Sequence, residues 1–245
     1  MKKVIRLNKK EGETPLEALE NFRIKNKEYK DIKMTYAGRL DPMASGILLV
    51  LTGDETKNKE KYLALEKEYD FEVLFGFNTD TYDILGKVIN NYELTITNYE
   101  LEREIKKNLK SFIGESVQLY PMYSSKTVKG KPLFVYARKG EDVEVPERKI
   151  FIKKLKLEKI RKINNQKLFK NIEKRVKKVK GDFRQDKILK IWKEKLVVSE
   201  KNVYLVASFK IKCSSGTYVR TIANSLGNKL KIPALAFSIK RTKIC

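Results

Sequence analysis

An α+β fold is predicted by three features of this 245-residue sequence. Short apolar or alternating segments of strand length recur along it, segments with helical spacing lie among them, and turns bearing Gly, Pro, Asn and Asp separate the two kinds. The length suits one large domain able to bury a sizeable core.

Residues 4–7 read as an opening strand. Glu11-Gly12-Glu13-Thr14-Pro15 then supplies a turn, with Thr14 as N-cap and Pro15 at the first position of an amphipathic helix reaching Phe22. Next comes Tyr36-Ala37-Gly38-Arg39-Leu40-Asp41-Pro42-Met43-Ala44-Ser45-Gly46, a Gly-punctuated loop running into the apolar stretch Ile47-Leu48-Leu49-Val50-Leu51. An apolar run bounded by turn residues reads as a buried strand, so the loop before it is pinned to a rigid core and can hold Asp41 in fixed geometry. On residue type alone, an Asp before Pro is also an ordinary turn residue.

Gly53-Asp54-Glu55-Thr56-Lys57 turns the chain into a short helix, with Tyr62 and Leu63 apolar, and residues 69–77 alternate as a half-buried strand opened by Tyr69. Beyond the turn-like Asn78-Thr79-Asp80-Thr81-Tyr82-Asp83, Val88-Ile89 form another strand, and residues 101–112 have helical spacing. Residues 118–140 mix Tyr, Lys and Gly around the breakers Pro121 and Pro132. RNA-facing surfaces have this composition, as does a solvated hairpin.

Residues 161–196 carry 14 Lys and Arg against 4 Asp and Glu. Ile172, Val176 and Val179, then Ile188, Ile191 and Trp192, predict two basic amphipathic helices flanking Gly181-Asp182, which read as an insertion into a single domain spanning 1–245. Such a segment is either a solvated helical hairpin or a contributor of phosphate contacts. Val203–Cys213 alternates as a strand, and Ser214-Ser215-Gly216-Thr217 leads into a helix start at Tyr218-Val219-Arg220, with Arg220 on the first turn. Neither an internal repeat nor a flexible linker divides the chain.

The 54 Lys and Arg against 31 Asp and Glu leave a formal charge of +23, which points to a polyanionic partner, nucleic acid by default. The absence of His removes the usual general base, the Ser-His-Asp and Cys-His pairs and the commonest metal ligand together. Cys213 and Cys245 are too few for a disulfide framework or a Cys-based zinc site, so an intracellular, reduced protein is expected, with Cys213 as core filler. No long apolar segment occurs at the N-terminus or later, so the expectation is cytoplasmic, without membrane contact.

Read together, Gly38-Arg39-Leu40-Asp41-Pro42 with Ala44-Ser45-Gly46, Gly53-Asp54-Glu55-Thr56-Lys57, Lys67-Glu68-Tyr69 and Thr79-Asp80-Thr81-Tyr82-Asp83 resemble motifs of the TruB family of pseudouridine synthases. So do Tyr123-Ser124-Ser125-Lys126, the block Gly130-Lys131-Pro132-Leu133-Phe134-Val135-Tyr136-Ala137-Arg138, and Cys213-Ser214-Ser215-Gly216-Thr217-Tyr218-Val219-Arg220. Asn8-Lys9-Lys10-Glu11-Gly12 is similar to the family's N-terminal K-P-x-G element, with Lys10 in place of Pro. Two further departures are Tyr36 where the family usually has His, and Thr127 at a usual Lys with Lys126 one position earlier.

The resemblance implies a pseudouridine synthase fold, with a mixed, mostly antiparallel central sheet flanked by helices and loops. It implies isomerisation of a uridine, expected at position 55 in the TΨC loop, with the T-arm of transfer RNA as partner, no cofactor, no metal and no obligatory protein partner. The protein is expected to act as a monomer. It also implies that Asp41 starts the chemistry, that Arg220 pairs with it, and that Tyr69 stacks on the target base. Tyr36 and Tyr123 are expected to stack on RNA, Arg39 and Tyr218 to contact it, and Lys9, Lys126, Lys129, Lys131, Lys240 and Arg241 to meet phosphates. Too little sequence follows Arg241 for the C-terminal PUA-type module of many members, so the basic segment 161–196 is expected to supply part of its phosphate contacts. The competing functions are a ribosomal RNA pseudouridine synthase and a non-catalytic protein that binds or folds transfer RNA.

Overall fold

The computed structural model describes residues 2–92, 94–197 and 203–245. Strand β1 (Val4–Lys9) leads to helix α1 (Pro15–Lys25), whose start is closed by a capping box. The Thr14 side chain accepts the Glu17 N–H and the Glu17 carboxylate accepts the Thr14 N–H. Strand β2 (Met34–Ala37) is too short to show a period in the sequence; it pairs with β3 (Ala44–Thr52), the apolar run after the Asp41 loop. A 3₁₀ turn over Gly53–Asn58 and helix α2 (Lys59–Leu63) follow.

The predicted strand 69–77 is divided in the structure into β4 (Lys67–Phe75) and β5 (Phe77–Thr79), because Gly76 at φ 101° breaks the extended backbone. Strand β5 pairs with β6 (Val88–Asn91) in a separate hairpin. Then come α3 (Asn98–Leu109), β7 (Gly114–Leu119), the small hairpin of β8 (Thr127–Val128) and β9 (Lys131–Pro132), and α4 (Leu133–Lys139). Strand β10 (Glu147–Asn164) precedes α5 (Asn165–Val176) and α6 (Gln185–Val197), the two basic helices. Residues 161–164 therefore complete a strand and are not part of the helical segment. After them come β11 (Val203–Cys213), α7 (Val219–Leu230) and β12 (Ala234–Ile244).

Seven strands run in the order β1-β3-β12-β4-β11-β10-β7, with β2 beside β3 as the eighth. The β3–β12 pair is parallel and the rest are antiparallel, which makes the sheet mixed and mostly antiparallel. Strand periodicity sends alternate residues to opposite faces. Phe71, Val73 and Phe75 of β4 with Phe209 and Ile211 of β11 bury one face under Leu101 and Ile105 of α3 and Ile222 and Leu226 of α7. Cys213 fills a place in this core, its thiol pushed up to about 11 by burial.

On the opposite face, Leu74, Val206, Leu235 and Phe237 are covered by Leu168 and Ile172 of α5 and Ile188 and Trp192 of α6. Trp192 is fully buried and donates its indole N–H to the Ile84 carbonyl at 3.2 Å. A solvated hairpin is thus the wrong description of this segment, since its apolar stripes close a sheet face that would otherwise lie open to water. No described helix is long and apolar enough to cross a membrane.

Candidate active site

The Asp41 loop is fastened at both sides. The Ala44 N–H donates to the Asp41 carbonyl at 3.0 Å, and the Gly12 N–H donates to the Pro42 carbonyl at 2.8 Å. Just beyond it, Gly46 sits at φ 104° where β12 passes alongside, and a Cβ at Gly46 would collide with the Arg241 backbone. Only glycine admits this approach, which lays β12 parallel to β3 and brings two segments far apart in sequence together.

The Asp41 side chain opens into a cavity of about 700 Å³ and is 36% exposed. Its partner is Arg220 on the first turn of α7, 2% exposed, whose Nε donates to Asp41 Oδ2 at 2.9 Å and whose Nη2 reaches Oδ1 at 3.5 Å. The guanidinium cannot swing away, because Nη1 donates to the Thr81 carbonyl and Nη2 to the Tyr123 carbonyl, both at 2.8 Å. Burial works against the charge, but Asp41 and Asp83 outweigh it and hold the Arg220 pKa above its ordinary value. A fixed fork on one side of a carboxylate keeps it aimed while its other side faces the cavity.

Residues 79–83 form a small knot that presents the Thr81 carbonyl. Thr79 Oγ1 donates to the Asp83 carbonyl and Thr81 Oγ1 to Asp83 Oδ1, each at 2.7 Å, while Asp83 Oδ1 also accepts the Leu85 N–H at 2.9 Å. Asp83 is buried, and burial pushes its pKa up to about 6, with Arg220 opposing and Asp41 assisting the rise. Gln118 fixes the start of α7 by accepting the Tyr218 N–H at 2.8 Å and donating to the Tyr218 carbonyl at 3.2 Å. Asp83 and Gln118 were not among the residues singled out from sequence, although Asp83 closes one of the family-like motifs.

Tyr69, at 8% exposure, and Tyr218, Tyr123 and Tyr36 also line the cavity. Burial raises the Tyr69 and Tyr218 phenols above their ordinary value, so both are neutral donors. Tyr218 meets Tyr120 edge-on at 5.6 Å, and Arg220 lies over the Tyr218 ring at 5.7 Å. The Lys59 ammonium stands 5.9 Å from the Tyr36 ring. Arg39 is exposed and lines the cavity. Lys126, Lys129 and Lys131 are exposed around the β8–β9 hairpin, Lys126 lying 5.3 Å from the ring of the cavity residue Tyr120.

Three expected phosphate partners are not offered to a ligand as exposed cations of the cavity. Lys9 is fully buried, and its ammonium donates to the carbonyls of Lys10 and Glu13; burial lowers its pKa to about 8. Arg241 is 1% exposed and donates to the carbonyls of Ile47 at 2.6 Å and Gly38 at 3.1 Å, so it braces the Asp41 loop from within. Lys240 lies between Ile239 and Arg241, both of which line the cavity, and strand alternation therefore turns it to the opposite face of the sheet. In exchange the cavity holds Lys67, 4% exposed, its pKa lowered by burial to about 8, which the sequence offered only as part of a motif. Among the described residues, no group of three or more His, Cys, Asp or Glu side chains converges as metal ligands would.

Comparison with known proteins adds a family to this geometry. Residues 25–183 match the profile of the TruB family pseudouridylate synthase (N terminal domain). The tRNA pseudouridine synthase B of Endomicrobium trichonymphae is 35% identical over 212 residues, covering 86% of this chain and 73% of that protein. Those of Ligilactobacillus salivarius and Caldanaerobacter subterraneus subsp. tengcongensis are each 32% identical, covering 98% and 86% of this chain and 66% and 59% of their own length. The chain therefore spans about two thirds of the length of these relatives. Among solved structures, a Cbf5-Nop10-Gar1 complex shares the fold, with a TM-score of 0.58 and 19% identity over 98% of this chain and 48% of the matched one. Since the matched stretch runs through the Asp41 loop and the 79–83 knot, and the identity extends over most of the sequence, this chain belongs to the TruB family of pseudouridylate synthases.

Proposed function

We propose that this chain isomerises a uridine of transfer RNA to pseudouridine, with position 55 in the TΨC loop as its target and Asp41 as the group that starts the reaction. The observation that carries the reading is the Asp41 carboxylate at the wall of an aromatic cavity, gripped on one side by a buried arginine and free on the other. The reaction breaks the bond between N1 of uracil and the sugar, turns the base and joins C5 to the same carbon; the C5 proton leaves to solvent and N1, freed from the sugar, takes up a proton in exchange. Atoms and electrons balance without an oxidant or reductant. Asp41 is suited to attack or to assist departure at the sugar or the ring because Arg220 orients it and its cavity side is unhindered.

The target base is stacked in folded RNA, and extruding it costs a few kcal/mol, which aromatic and cationic contacts offset. Tyr69 offers a stacking face beside Asp41, and Tyr36, Tyr123 and Tyr218 offer others. Burial raises the Tyr69 phenol above its ordinary value, so it enters the reaction neutral and is a candidate for handling the C5 proton. The exposed Arg39, Lys126, Lys129 and Lys131 are assigned phosphate contacts in this reading, and the exposed Lys170, Lys174 and Lys180 on and after α5 add further cations. The resemblance further supports an enzyme that acts as a monomer in the cytoplasm.

The test uses transfer RNA transcript tritiated at C5 of uridine, with wild type beside Asp41→Asn. Wild type is expected to release tritium to water, and Asp41→Asn to release none while binding the RNA within about threefold of wild type, a difference below about 1 kcal/mol. Tight binding by both proteins without release from transfer RNA or ribosomal RNA fragments would leave a binding protein, and release by Asp41→Asn would remove Asp41 from the chemistry.

A further inference from the structure

The inserted helical pair does more than cover a sheet face, because its tip reaches the cavity. Arg184, the residue before α6, holds a left-handed backbone at φ 65° and lays its guanidinium 4.4 Å from the centre of the Tyr123 ring. Its Nη1 donates to the Tyr123 hydroxyl at 2.7 Å and to Asp80 Oδ2 at 2.8 Å, with Nη2 at 3.4 Å from Asp80 Oδ1. Asp80 belongs to the 79–83 knot that presents the Thr81 carbonyl to Arg220, and Tyr123 presents its own carbonyl to the same guanidinium. One arginine thus clamps both segments whose carbonyls fix Arg220, and Arg220 in turn aims Asp41.

A second tie runs from the same insertion to the other partner. Arg175 donates to Glu11 Oε2 through Nε at 3.0 Å and Nη2 at 2.7 Å, and Lys178 lies directly against Gly12, whose N–H holds the Pro42 carbonyl next to Asp41. Arg138 of α4 closes the tip by donating to the Asp182 carbonyl at 2.8 Å. Both sides of the Asp41–Arg220 pair are therefore buttressed by residues 175–184.

We infer that Arg184 is a positioning residue for the Asp41–Arg220 pair, acting through Tyr123 and Asp80, so that the insertion is a working wall of the active cavity. The inference rests on the proposed isomerisation for its effect on rate, but its structural content can be read without turnover. A planar fork stacked on an aromatic ring and shared between a phenol and a carboxylate is not reproduced by an ammonium. A small displacement of an aligned catalytic group costs up to about 100-fold in rate.

The experiment compares wild type, Arg184→Ala, Arg184→Lys and Tyr123→Phe. In RNA-free protein labelled with ¹⁵N, the Arg220 Nε–H signal is identified by its loss in Arg220→Lys. The expected result is that this signal shifts or broadens in Arg184→Ala while the thermal transition stays cooperative, that Arg184→Lys and Tyr123→Phe move it in the same direction by less, and that kcat for tritium release falls by about 10- to 100-fold with KM within about threefold. An Arg220 signal unmoved in a folded Arg184→Ala protein would overturn the inference whether or not turnover is seen. A raised KM at unchanged kcat would also overturn it, making Arg184 a contact to RNA. Absence of tritium release from wild type, by contrast, would strike the proposed function and leave the signal to judge the inference.

Discussion

Arg220 illustrates how a cation is made permanent inside a protein. Its charge is satisfied by Asp41 and by two backbone carbonyls, so burial that would discharge a lysine leaves it intact. Asp83 shows the converse: buried a short way from Asp41, it is pushed up to about 6, above the ordinary value of 3.8. A carboxyl whose folded pKa exceeds its unfolded one binds more protons in the native state between those values, so its contribution to stability is full below 3.8 and is lost as pH rises through about 6. Unfolding measured across that interval in wild type and Asp83→Asn should therefore show a downward component with rising pH that the variant lacks; parallel profiles would refute the assignment. At this scale the sequence was informative where motifs spoke and silent where packing did. The meeting of Asp41, Arg220 and Tyr69 in one cavity was legible in the motif resemblance. Lys9 and Arg241 were expected to meet phosphates, a role that needs exposure, and both are buried. Nothing local in Lys9-Lys10-Glu11 or Lys240-Arg241-Thr242 announces the carbonyls that receive them. Arg184 was invisible for a related reason: its partners Tyr123 and Asp80 are 61 and 104 residues away.

Elements with strong local signatures were readable in advance. The Thr14-Pro15 start of α1, the apolar run of β3, the alternation of β11 and the apolar stripes of α5 and α6 each carry their own period or cap. Strands β2, β10 and β12 do not. Strand β2 is four residues long, β10 sets lysines beside its apolar residues in an irregular alternation broken by register shifts, and β12 changes midway from fully buried to half exposed. Their extended form is decided by the neighbours that pair with them. The burial of the α5–α6 pair also has a measurable consequence. Trp192 packs at 4.9 Å from Phe77 and fills the space between α6 and the sheet, so Trp192→Ala should cost about 3–5 kcal/mol, read by denaturant unfolding. A loss below about 1 kcal/mol, the level of a surface substitution, would mean that the helices sit loosely on the sheet.

For the whole molecule, the net charge of +23 is the largest single force on an approaching polyanion. Deleting α5 and α6 is a poor test of their share in it, because it would strip cover from Leu74, Val206 and Phe237. Neutralising their exposed lysines is a cleaner one. Lys170, Lys174, Lys180, Lys187 and Lys190 changed together to Gln should lower the slope of log affinity against log salt by about 0.7 to 0.9 for each phosphate left without its cation, with kcat at saturating RNA unchanged. An unaltered slope would confine RNA binding to the β8–β9 side of the cavity. The long-range architecture was readable only through the motif resemblance, since a parallel β3–β12 pair and an ion pair between residues 179 positions apart leave no local trace. That separation sets a timetable for synthesis. A ribosome delivers Asp41 early and Arg220 long afterwards, and the sheet that joins them closes only when β12 has followed α7 out. Every nascent chain that has not yet reached α7 thus carries basic surface without the assembled pair, and competence for chemistry arrives as a single late event.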